Sequence, residues 1–221
     1  MTPDEQAISE GKTCIFTGDY YGSIEEAVEK ANNHGGGTVT LIADTVVSRN
    51  GKVPDMCFNS NFAIRSKKGG PTYRIYRGGL DRREMLQITD GVLRLFDVTL
   101  DGGCDGPAFC AAIRISDRGR VEMSGVTICG NYTTNAGNAA NQGATAVCCI
   151  GANASFKMSS GCVIRDNAGT GSAISAIVAS GGTITNEGAV FEGNTSDNGK
   201  NPDYTDLTGT TRFEGLPILQ A

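Results

Sequence analysis

Four stretches of this chain repeat one another, and each is built only of short strands. They are Leu86–Gly103 (LQITDGVLRLFDVTLDGG), Ala112–Asn131 (AIRISDRGRVEMSGVTICGN), Val147–Asn167 (VCCIGANASFKMSSGCVIRDN) and Ala176–Asn194 (AIVASGGTITNEGAVFEGN). Each holds three runs of alternating residues separated by Gly, Ser, Asn or Asp. A strand-only repeat of this length cannot bury its apolar face alone. It must stack, and three strands per turn make a parallel β-helix. The expected fold is therefore all-β, a parallel β-helix of three-strand coils. Glycine, at 31 of 221 residues, suits a chain that turns every few positions.

Aligning the repeats on their last apolar residues, Leu100, Ile128, Ile164 and Phe191, sorts the rest into columns. Three residues earlier stand Asp97, Gly125, Gly161 and Gly188, where a turn calls for positive φ. Three residues later stand Gly103, Asn131, Asn167 and Asn194. Stacked asparagines tolerate the left-handed conformation and can hydrogen-bond from coil to coil. Leu93, Val121, Phe156 and Ile184 face inward, as do Leu95, Met123 and Met158.

Upstream, Ile24, Ala27, Val28 and Ala31 form one apolar stripe of a helix over 23–34. A Ser23/Glu26 capping box starts it and Gly35–Gly37 stop it. Its expected role is to cover one end of the stack, where strand edges would otherwise be exposed. The plan is thus an irregular lead-in over 1–18, a β-helix over 19–194, and a tail or truncated last coil over 195–221.

Here the chain resembles known proteins. SIEEAVEKANNHGGGTVTLIADT (23–45) resembles the entry to pectin-lyase-like β-helix proteins. YRIYRGG and MLQITDGVLRLFDVTLDGG resemble repeat units of bacterial adhesin-like surface proteins. GSAI (171–174) and FEGN (191–194) are similar to the short motifs of polymorphic outer-membrane proteins. The resemblance implies a right-handed β-helix at a bacterial cell surface or outside the cell, meeting a polysaccharide or a surface glycan. It does not imply one activity, because this fold carries lyases, hydrolases, phage tailspikes and adhesins alike.

Charge and composition narrow the classes. Nineteen basic residues against 24 acidic ones argue against nucleic acid, which needs a concentrated basic face. No apolar run approaches the ~20 residues of a membrane helix. The polar, acidic opening does not read as a signal peptide, so export implies a longer parent chain. The single histidine, His34, leaves little for histidine-based nucleophilic chemistry and reads as a loop residue. Eight cysteines lack Cys-x-x-Cys spacing. Cys104 and Cys110 flank a loop that a disulfide could close, whereas Cys148 and Cys162 read as inward, apolar residues.

A glycoside hydrolase needs two carboxylates about 5–9 Å apart over one groove. Residues of one column in adjacent coils stand about 4.8 Å apart. The outward columns are Asp101–Cys129–Arg165–Glu192, Arg94–Glu122–Lys157–Thr185 and Gln87–Arg114–Cys149–Val178, and none places two acids in adjacent coils. Arg94–Glu122–Lys157 reads as a surface ion ladder. The family's motifs for pectate lysis and polygalacturonan hydrolysis are not found.

If the chain is an enzyme, a polysaccharide lyase or glycoside hydrolase, the candidate residues are Asp97, Asp101, Arg94 and Glu122. Otherwise these are turn and surface groups. No cofactor is expected beyond a calcium ion, for which Asp101 and Asp105 are the candidates. Arg74, Arg77, Arg82 and Arg83 read as a solvated basic run. Candidate ligand contacts are Tyr132, which opens the polar insert 132–145 and is expected to be exposed, with Arg114, Arg165 and Glu192. Sequons at Asn131, Asn153 and Asn194 read as turn asparagines. The leading expectation is a non-catalytic adhesive or glycan-facing stalk. A carbohydrate-active enzyme and a tailspike-like fibre are its rivals.

Overall fold

The computed structural model describes residues 1–48, 57–58, 60–78, 84–103, 111–133, 144–170, 175–197 and 201–216. The chain opens with α1 (Pro3–Ser9), β1 (Cys14–Phe16), β2 (Asp19–Tyr21) and α2 (Ile24–Asn33). Coiling then begins with β3 (Gly36–Leu41), β4 (Thr45–Ser48), β5 (Cys57–Phe58), β6 (Asn61–Ser66), β7 (Tyr73–Gly78) and β8 (Leu86–Ile88). It continues through β9 (Val92–Phe96), β10 (Val98–Asp101), β11 (Ile113–Ser116), β12 (Arg120–Ser124), β13 (Thr127–Cys129), β14 (Tyr132–Thr133) and β15 (Ala144–Ile150). The last coils hold β16 (Ser155–Ser159), β17 (Val163–Arg165), β18 (Ala168–Gly169), β19 (Ser175–Ser180), β20 (Thr183–Glu187), β21 (Val190–Glu192), β22 (Thr195–Ser196), β23 (Tyr204–Asp206) and β24 (Arg212–Glu214).

These strands make a right-handed parallel β-helix. Sheet A has nine strands in the order β2-β1-β3-β6-β9-β12-β16-β20-β24. Sheet B stacks β4-β7-β10-β13-β17-β21 and sheet C stacks β5-β8-β11-β15-β19-β23. A fourth ladder, sheet D, is β14-β18-β22. Three strands per coil is thus too few from β12 onward, because a two-residue strand follows the asparagine column before sheet C begins. Among the described strands only β1 runs antiparallel to its neighbours, pairing with both β2 and β3.

The repeat alignment gives the register. Leu100 pairs with Ile128, Ile128 with Ile164 and Ile164 with Phe191. Leu93, Val121, Phe156 and Ile184 pair in sequence and are fully buried. Asp97, Gly125, Gly161 and Gly188 all have positive φ, from 52° to 107°. A Cβ on Gly125 would collide with the Asp97 carboxylate of the coil before.

The asparagines behave differently from expectation. Positive φ in the later coils falls one residue earlier, at Gly130, Asp166 and Gly193, which frees each asparagine to turn its amide inward. Asn131, Asn167 and Asn194 are buried and joined side chain to side chain. Two of the three sequon asparagines are therefore enclosed, and Asn153 alone stands exposed in a turn.

One column shifts by a residue. Arg114 pairs with Cys148, not Cys149, and Cys148 with Val178. Cys149 lies in the main core, whereas Cys148 packs with Ala111, Ala144 and Val178 in a smaller cluster. A slip of one position exchanges the faces of a strand. Both faces of β15 are buried, so its sequence lacks the alternation that would have fixed the face.

Both chain ends carry more structure than expected. Residues 3–9 are helical because Thr2 and Glu5 cap each other's main-chain N–H groups and Pro3 opens the first turn. Tyr20 donates to Asp4 at 2.8 Å, and Lys67 ion-pairs with the same carboxylate, tying α1 to the coil. Past residue 194, β22, β23 and β24 continue sheets D, C and A. Their polar sequence hides the repeat, but Tyr204 and Phe213 take inward positions with Phe191, ring centroids 5.4 and 6.3 Å apart.

The helix at 23–34 forms as read, with Ile24, Ala27, Val28 and Ala31 buried against β1, β3 and β4. Ser23 accepts the Glu26 N–H at 3.2 Å, but the Glu26 carboxylate reaches back to Gly22 rather than to Ser23. The chain re-enters a strand at Gly36. A Cβ there would meet the Asn61 carbonyl, so only glycine lets β3 lie against β6 at this point.

In each coil the longest connection is the one entering sheet C: 49–56, 79–85, 102–112, 134–143, 170–174 and 197–203. From β9 to β20, the turns flanking sheet A are short.

Candidate functional site

Among the described residues, the outward side of sheet A carries two regular columns. One outward column runs Ala63–Arg94–Glu122–Lys157–Thr185–Glu214, and beside it runs Arg65–Phe96–Ser124. Strand alternation puts both columns on the side opposite the buried Leu93 and Leu95 columns. Between them lies a shallow groove of about 250 Å³, lined by Phe96, Glu122, Met123, Ser124, Lys157 and Ser159. Phe96 is half-buried and is the aromatic residue of this lining.

Charges beside the groove are matched. Arg94 Nε sits 2.9 Å from Glu122 Oε2. Lys157 does not continue the ladder to Glu122 but meets Glu187 Oε1 at 2.7 Å. The Glu187 carboxylate holds the Lys157 ammonium above its ordinary pKa. All four side chains are roughly half exposed, so these pairs orient groups more than they stabilise the fold.

The other candidates are dispersed. Asp97 holds a left-handed turn, and its carbonyl accepts the Ser66 hydroxyl at 2.5 Å. Asp101 lies on sheet B, accepts the Gly103 N–H at 3.0 Å and faces Arg74 at 3.4 Å. Arg74 also grips Asp44 at 2.9 Å and lies over the Tyr76 ring. Arg94 and Glu122 thus come together, whereas Asp101 is engaged on a neighbouring sheet.

Arg114, on sheet C, is 3.8 Å from Glu84. Arg165 bonds Asp166 at 2.5 Å, one coil away from the exposed Glu192. The Asp166 carboxylate raises the Arg165 pKa. Tyr132 is half-buried rather than exposed, its hydroxyl 3.2 Å from Thr170 Oγ1, because it belongs to a strand of sheet D. These four residues occupy three different sheets and form no common site.

Asp105, Arg82, Arg83, Cys104 and Cys110 lie outside the described residues. Among the described residues no three His, Cys, Asp or Glu side chains converge as a metal site. Arg77 departs from the solvated reading: it is buried and donates to the Ala111 carbonyl at 3.4 Å, because it shares the inward face of β7 with Ile75. His34 closes α2, its Nδ1 2.9 Å from the Lys30 carbonyl and its ring edge-on to Phe16. Cys14, Cys149 and Cys162 are buried free thiols, and Cys129 and Cys148 are buried too. Burial pushes the Cys14 and Cys149 thiols up to about 12.

Sequence reading singled out Arg94 and Glu122 as candidates and passed over Phe96, Ser124 and Ser159, which line the groove beside that pair. Their signal was available: each ends a sheet A strand at an outward position. Compared with known proteins, the chain matches no family model, no curated protein and no solved structure. Fold and site define its class as an all-β parallel solenoid.

Proposed function

We propose that this chain is a non-catalytic β-helix of a bacterial cell-surface protein, whose sheet A face meets a glycan. The observation that carries the reading is the groove itself. An aromatic ring stands beside hydroxyl, ammonium and carboxylate groups whose charges cancel in the pairs Arg94–Glu122 and Lys157–Glu187. Such a surface can stack on a sugar ring and hydrogen-bond its hydroxyls without demanding a charged ligand. Glu122 lies on sheet A beside the groove and Asp101 on sheet B, so the two carboxylates do not face one another across it. The rest of the coil serves as a rigid support, with sheets continuous from end to end.

The test is a screen of the purified protein against neutral and acidic polysaccharides, following binding, reducing ends and absorbance near 235 nm with and without calcium. The expected result is binding without product, weakened at least tenfold by Phe96→Ala. Product formation abolished by Glu122→Gln would replace this reading with the enzyme. Absence of binding would reduce the chain to a stalk.

A further inference from the structure

Three tripeptides of this chain carry the signal for attaching a glycan to asparagine: Asn131–Thr133 (NYT), Asn153–Ser155 (NAS) and Asn194–Ser196 (NTS). The fold treats them unequally. A carboxamide nitrogen has two hydrogens to donate. At Asn131 both are in use, on the Cys129 carbonyl at 3.0 Å and Asn167 Oδ1 at 2.9 Å. At Asn194 both are in use on the Ile164 carbonyl at 2.9 Å and Asp203 Oδ1 at 3.0 Å. The two residues are 1% and 8% exposed. Asn153 is instead exposed, within the turn that the Ala154 N–H closes on the Gly151 carbonyl at 3.1 Å.

Glycan transfer takes away one of those hydrogens. The carboxamide nitrogen bonds to the anomeric carbon of a polyprenyl-diphosphate oligosaccharide. The anomeric C–O bond breaks, the diphosphate leaves with its electron pair, and the nitrogen gives up a proton. At Asn131 or Asn194 the product has one donor left for two buried acceptors, and it carries a bulky polar substituent inside an enclosed column.

The order of synthesis decides which event comes first. Asn167, the ladder partner of Asn131, lies 36 residues downstream. Chains emerge N-terminus first at about 5–20 residues per second, so the NYT signal is open before the residue that encloses it exists. In the folded protein Thr133 is 0% exposed, and the signal is out of reach.

We propose that asparagine-linked glycosylation and folding exclude one another at Asn131 and Asn194, and that Asn153 is the site at which the folded protein accepts such a glycan. The chain then reaches its native state only where the first two signals go unread. This inference is independent of the glycan-facing groove on sheet A.

The test makes the full chain behind a cleavable export signal in eukaryotic cells that glycosylate secreted proteins, and without that signal in a bacterial cytosol. Peptide mass spectrometry reads each asparagine, and cooperative urea unfolding reads the native state. Exported chains carrying a glycan on Asn131 or Asn194 are expected to lose the cooperative transition shown by the cytosolic protein. Thr133→Val with Ser196→Ala removes both signals and keeps both asparagines. This variant is expected to be secreted in native form with a glycan on Asn153. Blocking synthesis of the oligosaccharide donor is expected to restore native secretion of the unaltered chain, a check that does not depend on how the variant folds. Native protein with a glycan on Asn131 or Asn194 overturns the exclusion. So does native secretion of the unaltered chain with both asparagines bare, or misfolding that persists when the donor is blocked. A bare Asn153 in the secreted variant overturns its assignment.

Discussion

Asn131 and Asn167 are joined twice through a single atom. The main-chain N–H of Asn131 and its Nδ2 both donate to Asn167 Oδ1, at 3.2 and 2.9 Å. Each asparagine thereby fixes the spacing of two coils and satisfies main-chain groups at a corner where the strand ladder is interrupted. Asn167 also reaches the carbonyls of Ile128 and Arg165, so one buried side chain serves three segments.

Asn167→Ala should therefore be severe. It takes the acceptor from the Asn131 N–H, leaves Asn131 Nδ2 with the Cys129 carbonyl alone, and removes the side-chain donor to the Ile128 and Arg165 carbonyls, while Asn194 Oδ1 keeps only the main-chain N–H of residue 167. Urea unfolding is expected to show a loss of about 2–4 kcal/mol. A loss below about 0.5 kcal/mol, the scale of a surface substitution, would mean that the ladder contributes no stability.

Two turn glycines of one column should respond unequally to alanine. Gly125 and Gly161 both have positive φ, which costs alanine about 1–2 kcal/mol. At Gly161 the added methyl finds its nearest neighbour at 3.6 Å, whereas at Gly125 it strikes the Asp97 carboxylate. Gly125→Ala is expected to lower stability more than Gly161→Ala in parallel denaturation curves. Equal losses would show that Asp97 moves aside freely.

The buried thiols make stability fall in alkali. Desolvation raises the Cys14 and Cys149 thiols to about 12, whereas an unfolded cysteine ionises near 8.5. Their contribution is present below about pH 8.5 and is lost as pH rises towards 12, because the unfolded chain releases these protons first. Native protein should also resist iodoacetamide at Cys149 at pH 8.5 and react once unfolded. Rapid native alkylation at that site, read by mass spectrometry, would contradict its enclosure.

A double-mutant cycle on Arg94 and Glu122 is expected to give a coupling of about 0.2–1 kcal/mol that shrinks with added salt. Both side chains are more than a third exposed, which screens the pair. A larger, salt-insensitive coupling would mean that the groove is drier than its geometry implies.

Much of the frame was legible because the same constraint acts on every coil. Leu93, Val121, Phe156 and Ile184 must face one core, so alternation and turn spacing alone align them. Where that constraint lapsed, reading failed. Cys148 and Cys149 are adjacent, apolar and on a strand buried on both faces, so alternation cannot say which points inward. Tyr204 and Phe213 lie in stretches too polar to register as a repeat, although they fill the same inward columns. Thr2 and Glu5 formed a readable capping box that the acidic opening obscured. At the candidate site, charge drew notice to Arg94 and Glu122. Phe96, Ser124 and Ser159 became visible only when neighbouring coils placed them beside that pair.

Length can vary in this molecule at one corner far more freely than elsewhere. The connections into sheet C run from five residues (170–174) to eleven (102–112), yet the strands they join keep step. Along most of the coil, the edges of sheet A do not show that freedom, because Asp97, Gly125, Gly161 and Gly188 must fall at one turn position for the next strand to pair. An insertion at the sheet C corner alters what the protein displays there and leaves sheet A in register. The fold thus separates a variable margin from a conserved count, and new surface can be acquired without recalibrating the stack.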